Sequence, residues 1–149
     1  MGSSDYTIPG CTCAQLRKLS RRVTRVYDVH LARAGIKTTQ YSLLSNASRA
    51  PRALTERAAE MGMDRTTLTR NLRPLIANGW VRLVAGEDPR SRIVEVTPAG
   101  LATRKAASAQ WKKAQVELQS RLGERFVADL HSAMDIALAK LGGPVEHSR

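Results

Sequence analysis

A chain of 149 residues, 42% of them apolar, can bury a real core and is read as one domain with extended helical ends. Its 24 Lys and Arg stand against 13 Asp and Glu, a net charge of +11; Arg predominates, which favours a polyanionic partner and suits phosphate and base contact. No apolar run reaches the ~18 residues of a membrane span and Met1–Tyr6 lacks the basic and apolar regions of a signal peptide, so a cytoplasmic location without a membrane partner is expected.

Residues 1–10 end in Pro9-Gly10 and are expected to stay partly disordered until a partner packs on them. From Cys11 to about Arg33 the pattern predicts a long helix. Leu16, Leu19, Val23, Val26 and His30 keep a 3-4-3-4 spacing, a seam for another helix. Arg17, Lys18, Arg21, Arg22 and Arg25 cover much of the remaining surface, and Gly35 ends the helix. Thr38-Thr39 starts a second helix carrying Tyr41, Leu43, Leu44 and Ala47, and Pro51 closes the next loop. Leu54 to Met61 reads as a short helix with Thr55 as its cap, and Gly62 makes a sharp turn.

Met63 to Gly79 reads as one helix. Asp64 can accept from the first free N–H groups, and Gly79 is a C-terminal stop. Leu68, Leu72, Leu75 and Ile76 share one face of a 3.6-residue period. Thr66, Arg70 and Arg73 point the opposite way, flanked by Thr67 and Thr69. Pro74 removes one N–H bond to the carbonyl of Arg70 and is expected to bend the helix. The outward face therefore carries hydroxyls and guanidinium groups and no acid, as a major-groove reader needs: Arg bonds guanine through two N–H groups, and Thr offers a hydroxyl and a methyl. A solvated surface helix would also fit this stretch alone. Helix, Gly-containing turn and second helix with a polar outer face make the helix-turn-helix pattern. Trp80–Val84 and Ile93–Val96 are strand-like and flank the polar stretch Ala85–Arg92, a hairpin with a basic tip.

Thr97-Pro98 places a cap before a Pro at the first helical position. A long helix follows to about Arg121, with Ala107, Trp111, Ala114 and Leu118 at 4-3-4 spacing, and Gly123 breaks it. A last helix over 124–141 puts Phe126, Leu130, Met134, Ala137 and Leu141 on one side, before Gly142-Gly143-Pro144 and a fraying tail. The end helices are too long for the central unit to cover. Their seams need another surface, either each other or the same helices of a second subunit related by a two-fold axis.

Gly62-Met63-Asp64-Arg65-Thr66-Thr67-Leu68-Thr69-Arg70, the exit Asn78-Gly79-Trp80-Val81, and Asp88-x-Arg90-x-x-x-Val94-x-Val96-Thr97 together resemble the MarR family of bacterial winged-helix regulators. Val96 stands where the wing signature usually has Leu. The resemblance implies a mainly α fold with a small β-wing: a single MarR-type domain over 1–149. In it, 38–97 is the winged helix-turn-helix, and 11–37 with 98–141 are dimerisation helices. It also implies a short first strand, which composition does not show. The function it implies is sequence-specific binding of double-stranded DNA by a homodimer, as a repressor on a palindromic operator, with recognition helices about one helical turn (~34 Å) apart. Arg65, Thr66, Thr67, Thr69, Arg70 and Arg73 are the expected helix contacts. In the wing, Arg90 is expected at the minor groove, Arg92 at groove or phosphate, and Asp88 steadies the hairpin.

The cysteines bear on what releases the DNA. Cys11 and Cys13 open the first helix, where unpaired N–H groups and the dipole stabilise a thiolate, and Arg17 one turn on adds positive charge. One intervening residue is poor geometry for a mutual disulfide. Cys13 with Ser20-Arg21-Arg22-Val23-Thr24-Arg25-Val26-Tyr27 is similar to the first helix of the organic-hydroperoxide-sensing branch, whose reactive cysteine stands ten residues before the Val or Met of this run. That branch supports its thiolate with tyrosines, which its pattern places at 17, 27 and 38; here only Tyr27 matches, beside Arg17 and Thr38. Three readings stay open: an oxidant sensor, small hydrophobes at the dimer interface, and a soft metal or metalloid site shared between subunits. The scattered His30, His131 and His147 suggest no zinc site. A small aromatic or phenolic effector, common in the family, would be lined by elements carrying Val26, Tyr27, His30, Tyr41 and Leu44.

Other classes compete. A less specific nucleoid or RNA-binding protein would use the same charge, but two Trp, three Tyr and one Phe form no stacking cluster. A thiol enzyme would need a His–carboxylate partner pattern for Cys13, and none accompanies it. A non-enzyme without cofactor or resident metal is expected.

Overall fold

The computed structural model describes residues 10–142; the expectations made for the segment before Gly10 and for the tail beyond Gly142, His147 included, lie outside them. Helix α1 spans Thr12–Leu31, and a 3-10 turn, Ala32–Ala34, runs on to Gly35 at φ +70°. Helix α2, Thr38–Ala47, is capped from α1. The Asp28 carboxylate accepts from the Thr38 backbone N–H at 2.8 Å and from its hydroxyl at 2.6 Å. Tyr41, Leu43, Leu44 and Ala47 are buried, so α2 is a core helix.

Strand β1, Arg52–Ala53, leads directly into helix α3, Leu54–Glu60. The N-cap of α3 is therefore Ala53, with no side-chain cap bond, and the expectation of Thr55 as cap is corrected. A residue pairing in a sheet up to position 53 leaves Thr55 already inside the first turn. Gly62 turns at φ +64°, and helix α4 follows over Arg65–Ala77, continuous through Pro74. Leu68, Leu72 and Leu75 have no exposed surface, but Ile76 is 40% exposed, against expectation. It lies roughly 70° from the centre of the arc those leucines define, on the helix's last turn.

Strands β2, Val81–Ala85, and β3, Arg92–Val96, form the expected hairpin. With β1 they make a three-stranded antiparallel sheet ordered β1-β3-β2, in which Leu83 faces Val94 and Arg52 also aligns with Val94. Helix α5, Pro98–Leu122, is capped by Thr97, whose hydroxyl accepts from Gly100 N–H at 3.1 Å. The same residue clasps the end of α4: Thr97 N–H donates to the Trp80 carbonyl at 3.0 Å, and its hydroxyl donates to the Gly79 carbonyl at 2.5 Å. Gly100 fits under this clasp because it lacks a Cβ, which would overlap the Trp80 carbonyl oxygen.

Helix α1 packs along α5. The Tyr27 hydroxyl donates to Gln115, His30 Nε2 donates to the Glu117 carboxylate at 2.6 Å, and Tyr41 stacks on Trp111 at 6.3 Å. Helix α6, Glu124–Leu141, buries only Val127, which was not on its expected seam. That seam stands open: Phe126 is 55% exposed and Leu141 84%. The α1 seam is open at its start, with Leu16 57% exposed, and half-buried from Val23 onward. Among the described residues no helix is long and apolar enough to cross a membrane.

Candidate nucleic-acid interface

Helix α4 presents its polar face because its cap and its core leave no other arrangement. The Asp64 carboxylate accepts from the Thr67 backbone N–H at 2.7 Å and from the Thr67 hydroxyl at 3.0 Å. With the three leucines locked inside, the outer surface falls to a groove of about 300 Å³ lined by Arg65, Thr66, Thr69, Arg70 and Arg73. No carboxylate is among them. Five of the six expected helix contacts thus share one groove, and Thr67 does not, since the cap engages it. The Thr69 hydroxyl donates back to the Arg65 carbonyl at 2.9 Å, which leaves its lone pairs and methyl outward.

The wing is stiffened from within. Asp88 accepts from the Arg90 backbone N–H at 2.9 Å, and its carbonyl accepts from Ser91 N–H at 2.9 Å. Arg82 and Glu95, cross-strand partners, pair at 2.9 Å. Arg90 and Arg92 are both exposed. The Arg92 guanidinium folds over the turn, donating to the carbonyls of Pro89 at 3.2 Å and Ser91 at 3.1 Å. A recess of about 360 Å³ joins the wing to the helix: Arg65 lines it together with Asp88, Arg90 and Arg92. Thr55 and Glu56 of α3 line the same recess. The sequence pattern did not point to them, because it assigned Thr55 to a cap.

No family model and no curated protein matches this chain. Solved structures do. MosR, a transcriptional regulator of M. tuberculosis crystallised in complex with DNA, is 34% identical, with 86% of this chain and 98% of that one covered and a TM-score of 0.72. The chain belongs to the MarR family of winged-helix transcriptional regulators. A mutant of MarR from E. coli, complexed with operator DNA, shares the fold at 23% identity, covering 84% of this chain and 91% of that one, TM-score 0.75. The repressor CouR bound to a 23-mer duplex does so at 24%, covering 85% and 92%, TM-score 0.76. These neighbours are regulators rather than enzymes.

This MarR-family chain does not assemble its expected effector residues in one place. Cys11 and Cys13 are free and exposed at the start of α1, with Arg17 one turn on. Tyr27 lies fourteen residues further along the same helix than Cys13, about 21 Å away, and its hydroxyl is taken by Gln115. Burial pushes the Tyr27 phenol above its ordinary range. Among the described residues no group of three His, Cys, Asp or Glu could hold a metal ion.

Tyr27 instead lines a cleft of about 630 Å³ between the terminal helices and the winged helix, with Tyr41, Trp111, Arg49, Arg104 and Glu60. The Ser45 hydroxyl, on the same wall, is buried without a partner among the described residues. Of the residues expected near an effector, Tyr27 and Tyr41 reach the cleft; Leu44 is wholly buried in the core and His30 is engaged with Glu117.

Sequence reasoning missed Arg57, whose side chain has no exposed surface. Its guanidinium donates to the Asn46 carbonyl and side chain, both at 2.9 Å, to the Ala50 carbonyl, and to Glu60 at 3.3 Å. It ties the end of α2 to α3 and so sets the first helix of the helix-turn-helix. The available signal was phase: Leu54, Arg57 and Ala58 fall at i, i+3 and i+4, the buried face of α3.

Proposed function

We propose that the protein is a sequence-specific, homodimeric transcriptional repressor that binds a palindromic DNA operator in the cytoplasm and is released by an effector. The observation that carries the reading is the acid-free groove on α4, lined by three arginines and two threonines. Duplex DNA is the partner such a face fits, since guanidinium forks match both guanine edges and phosphates. The arginines of the wing beside Arg65 would extend the contact into the minor groove. Three neighbours were crystallised on DNA. The open apolar seams of α1 and α6 support residues 11–37 and 98–141 as dimerisation helices. Footprinting on selected duplexes tests the reading: a protected palindrome is expected, and Arg70→Ala should weaken binding there by about 1–3 kcal/mol while leaving the fold intact. A variant that binds its site as well as the parent removes Arg70 from the readout.

Two features support release by an effector. The exposed thiols of Cys11 and Cys13 suit oxidation. A hydroperoxide would take Cys13 to the sulfenate while being reduced to its alcohol, and condensation with a second thiol would release water. The cleft bounded by Tyr27, Tyr41 and Trp111 suits a small ligand instead. On the thiol reading, Cys13→Ser binds the operator normally and no longer releases it after peroxide, and Cys11→Ser is impaired less. Release that persists in the double variant assigns the switch to the cleft.

A further inference from the structure

Five of the chain's 24 basic residues lie away from α4 and the wing, on α1. Arg17, Lys18, Arg21, Arg22 and Arg25 are all exposed, and among the described residues none of them pairs with a carboxylate. At about 100° per residue they fall within an arc of roughly 140°. Leu16, Leu19, Val23, Val26 and His30 occupy the opposite arc, and there His30 contacts α5. The helix has one carboxylate, Asp28, and Thr38 holds it through two hydrogen bonds. The basic arc is thus a run of like charges with nothing on the described chain to offset it.

Such a face has a natural counterpart. Residues 17–25 span about 12 Å of helix, and each strand of duplex DNA presents about one phosphate per 3.4 Å of axis, so about three or four phosphates of one strand match that length. Four of the five cations are arginines, whose forks bind phosphate oxygens through paired bonds. A lipid surface fits less well, because an interfacial helix sinks its apolar face into the bilayer; here that face is turned to α5 from Val23 onward and stands open at Leu16 and Leu19. Helix α1 packs on α5 and α2, whereas α4 packs on α2, α3 and β2. The two basic surfaces therefore sit on different elements of the fold.

We propose that the basic face of α1 is a second, sequence-independent contact for the phosphate backbone of duplex DNA, engaging DNA beyond the segment met by α4 and the wing. It takes its partner from the DNA-binding reading above, and the test separates the two. Arg21→Gln, Arg22→Gln and Arg25→Gln are combined in the full-length chain; all three positions are exposed, and thermal denaturation confirms an intact fold. Affinity is measured against salt on two duplexes carrying the footprinted site, one trimmed to the footprint and one extended on both sides.

On the extended duplex the variant should bind more weakly. The slope of log K against log salt should shrink by about 0.9 for each phosphate that the protein no longer neutralises, so by about 2–3 in all. On the trimmed duplex variant and parent should match. An unchanged slope on the extended duplex overturns the proposal. So does an equal loss on the trimmed duplex, which would place these arginines inside the operator contact. A loss of binding to phosphatidylglycerol vesicles with DNA binding unchanged would make the face a lipid surface and overturns it too. If the parent protects no palindrome, the operator reading fails. The α1 contact then stands or falls on whether the same slope change appears on unrelated duplex.

Discussion

Helices α4 and α6 carry apolar residues at the same three-and-four spacing and meet opposite fates. In α4, Leu68, Leu72 and Leu75 lose all their exposure, while in α6 Phe126 keeps 55%, Met134 39% and Leu141 84% of theirs. The difference lies in the neighbours. Helix α4 packs against α2, α3 and β2, and α6 against α5. Periodicity states which face of a helix is apolar; what lies against that face is a property of the fold, and for α6 of whatever joins it.

The contrast can be broken by truncation. Leu72→Ala removes a fully buried side chain from the core and should cost about 3–5 kcal/mol of unfolding free energy, read by denaturant titration. Phe126→Ala should cost far less in dilute protein, because over half of that ring is already in water. If a second subunit covers α6, the loss at Phe126 should grow with protein concentration, since association stabilises only the folded state. Equal losses for the two variants at low concentration would mean that α6 packs within the chain more tightly than its exposure indicates.

A second substitution sharpens the comparison at the joint between the two regions. Gly100→Ala places a methyl group where the Trp80 oxygen stands, so α5 must shift from the end of α4 or the Thr97 clasp must open. The expected loss is about 1–3 kcal/mol, with operator affinity falling as α4 moves. A variant as stable as the parent would show that the close approach is not needed.

Much of the winged helix was legible because its signals are local. Asp64 caps α4 as its short acceptor implies, Gly62 and Gly79 adopt positive φ where turns were expected, and Thr97-Pro98 starts α5. What was not legible depends on distant partners. Arg57 reads as a surface charge, yet the carbonyls of Asn46 and Ala50 near the end of α2 need a donor, and it supplies one from the buried side of α3. Gly100 reads as an unremarkable helix residue until the Trp80 carbonyl is set beside it. Strand β1 is two residues long, too short for any periodicity. At the site, the α4 face was legible as a face. The engagement of Thr67 by the cap, and the recess that Arg65 shares with the wing, follow from tertiary placement.

The smallest effect concerns the layer formed by α1 and α5. The hydrogen bond from His30 holds the Glu117 carboxyl below its ordinary range, and Arg121, 3.5 Å away, acts in the same direction. A carboxylate favoured in the folded state contributes stability that is fully present above its unfolded value of about 4.3. That contribution is lost as pH falls through the lower folded value. Glu117 is 42% exposed, so solvent screens the pair and the contribution is slight. The melting temperature of the parent should exceed that of Glu117→Gln from neutral pH down to about 4.3, and the gap should close as pH falls further. A gap that persists in strong acid would mean that the carboxylate acts through packing along α5. The charge would then play no part in holding α1 to it, leaving that layer to apolar contact and the hydrogen bond from Tyr27 to Gln115.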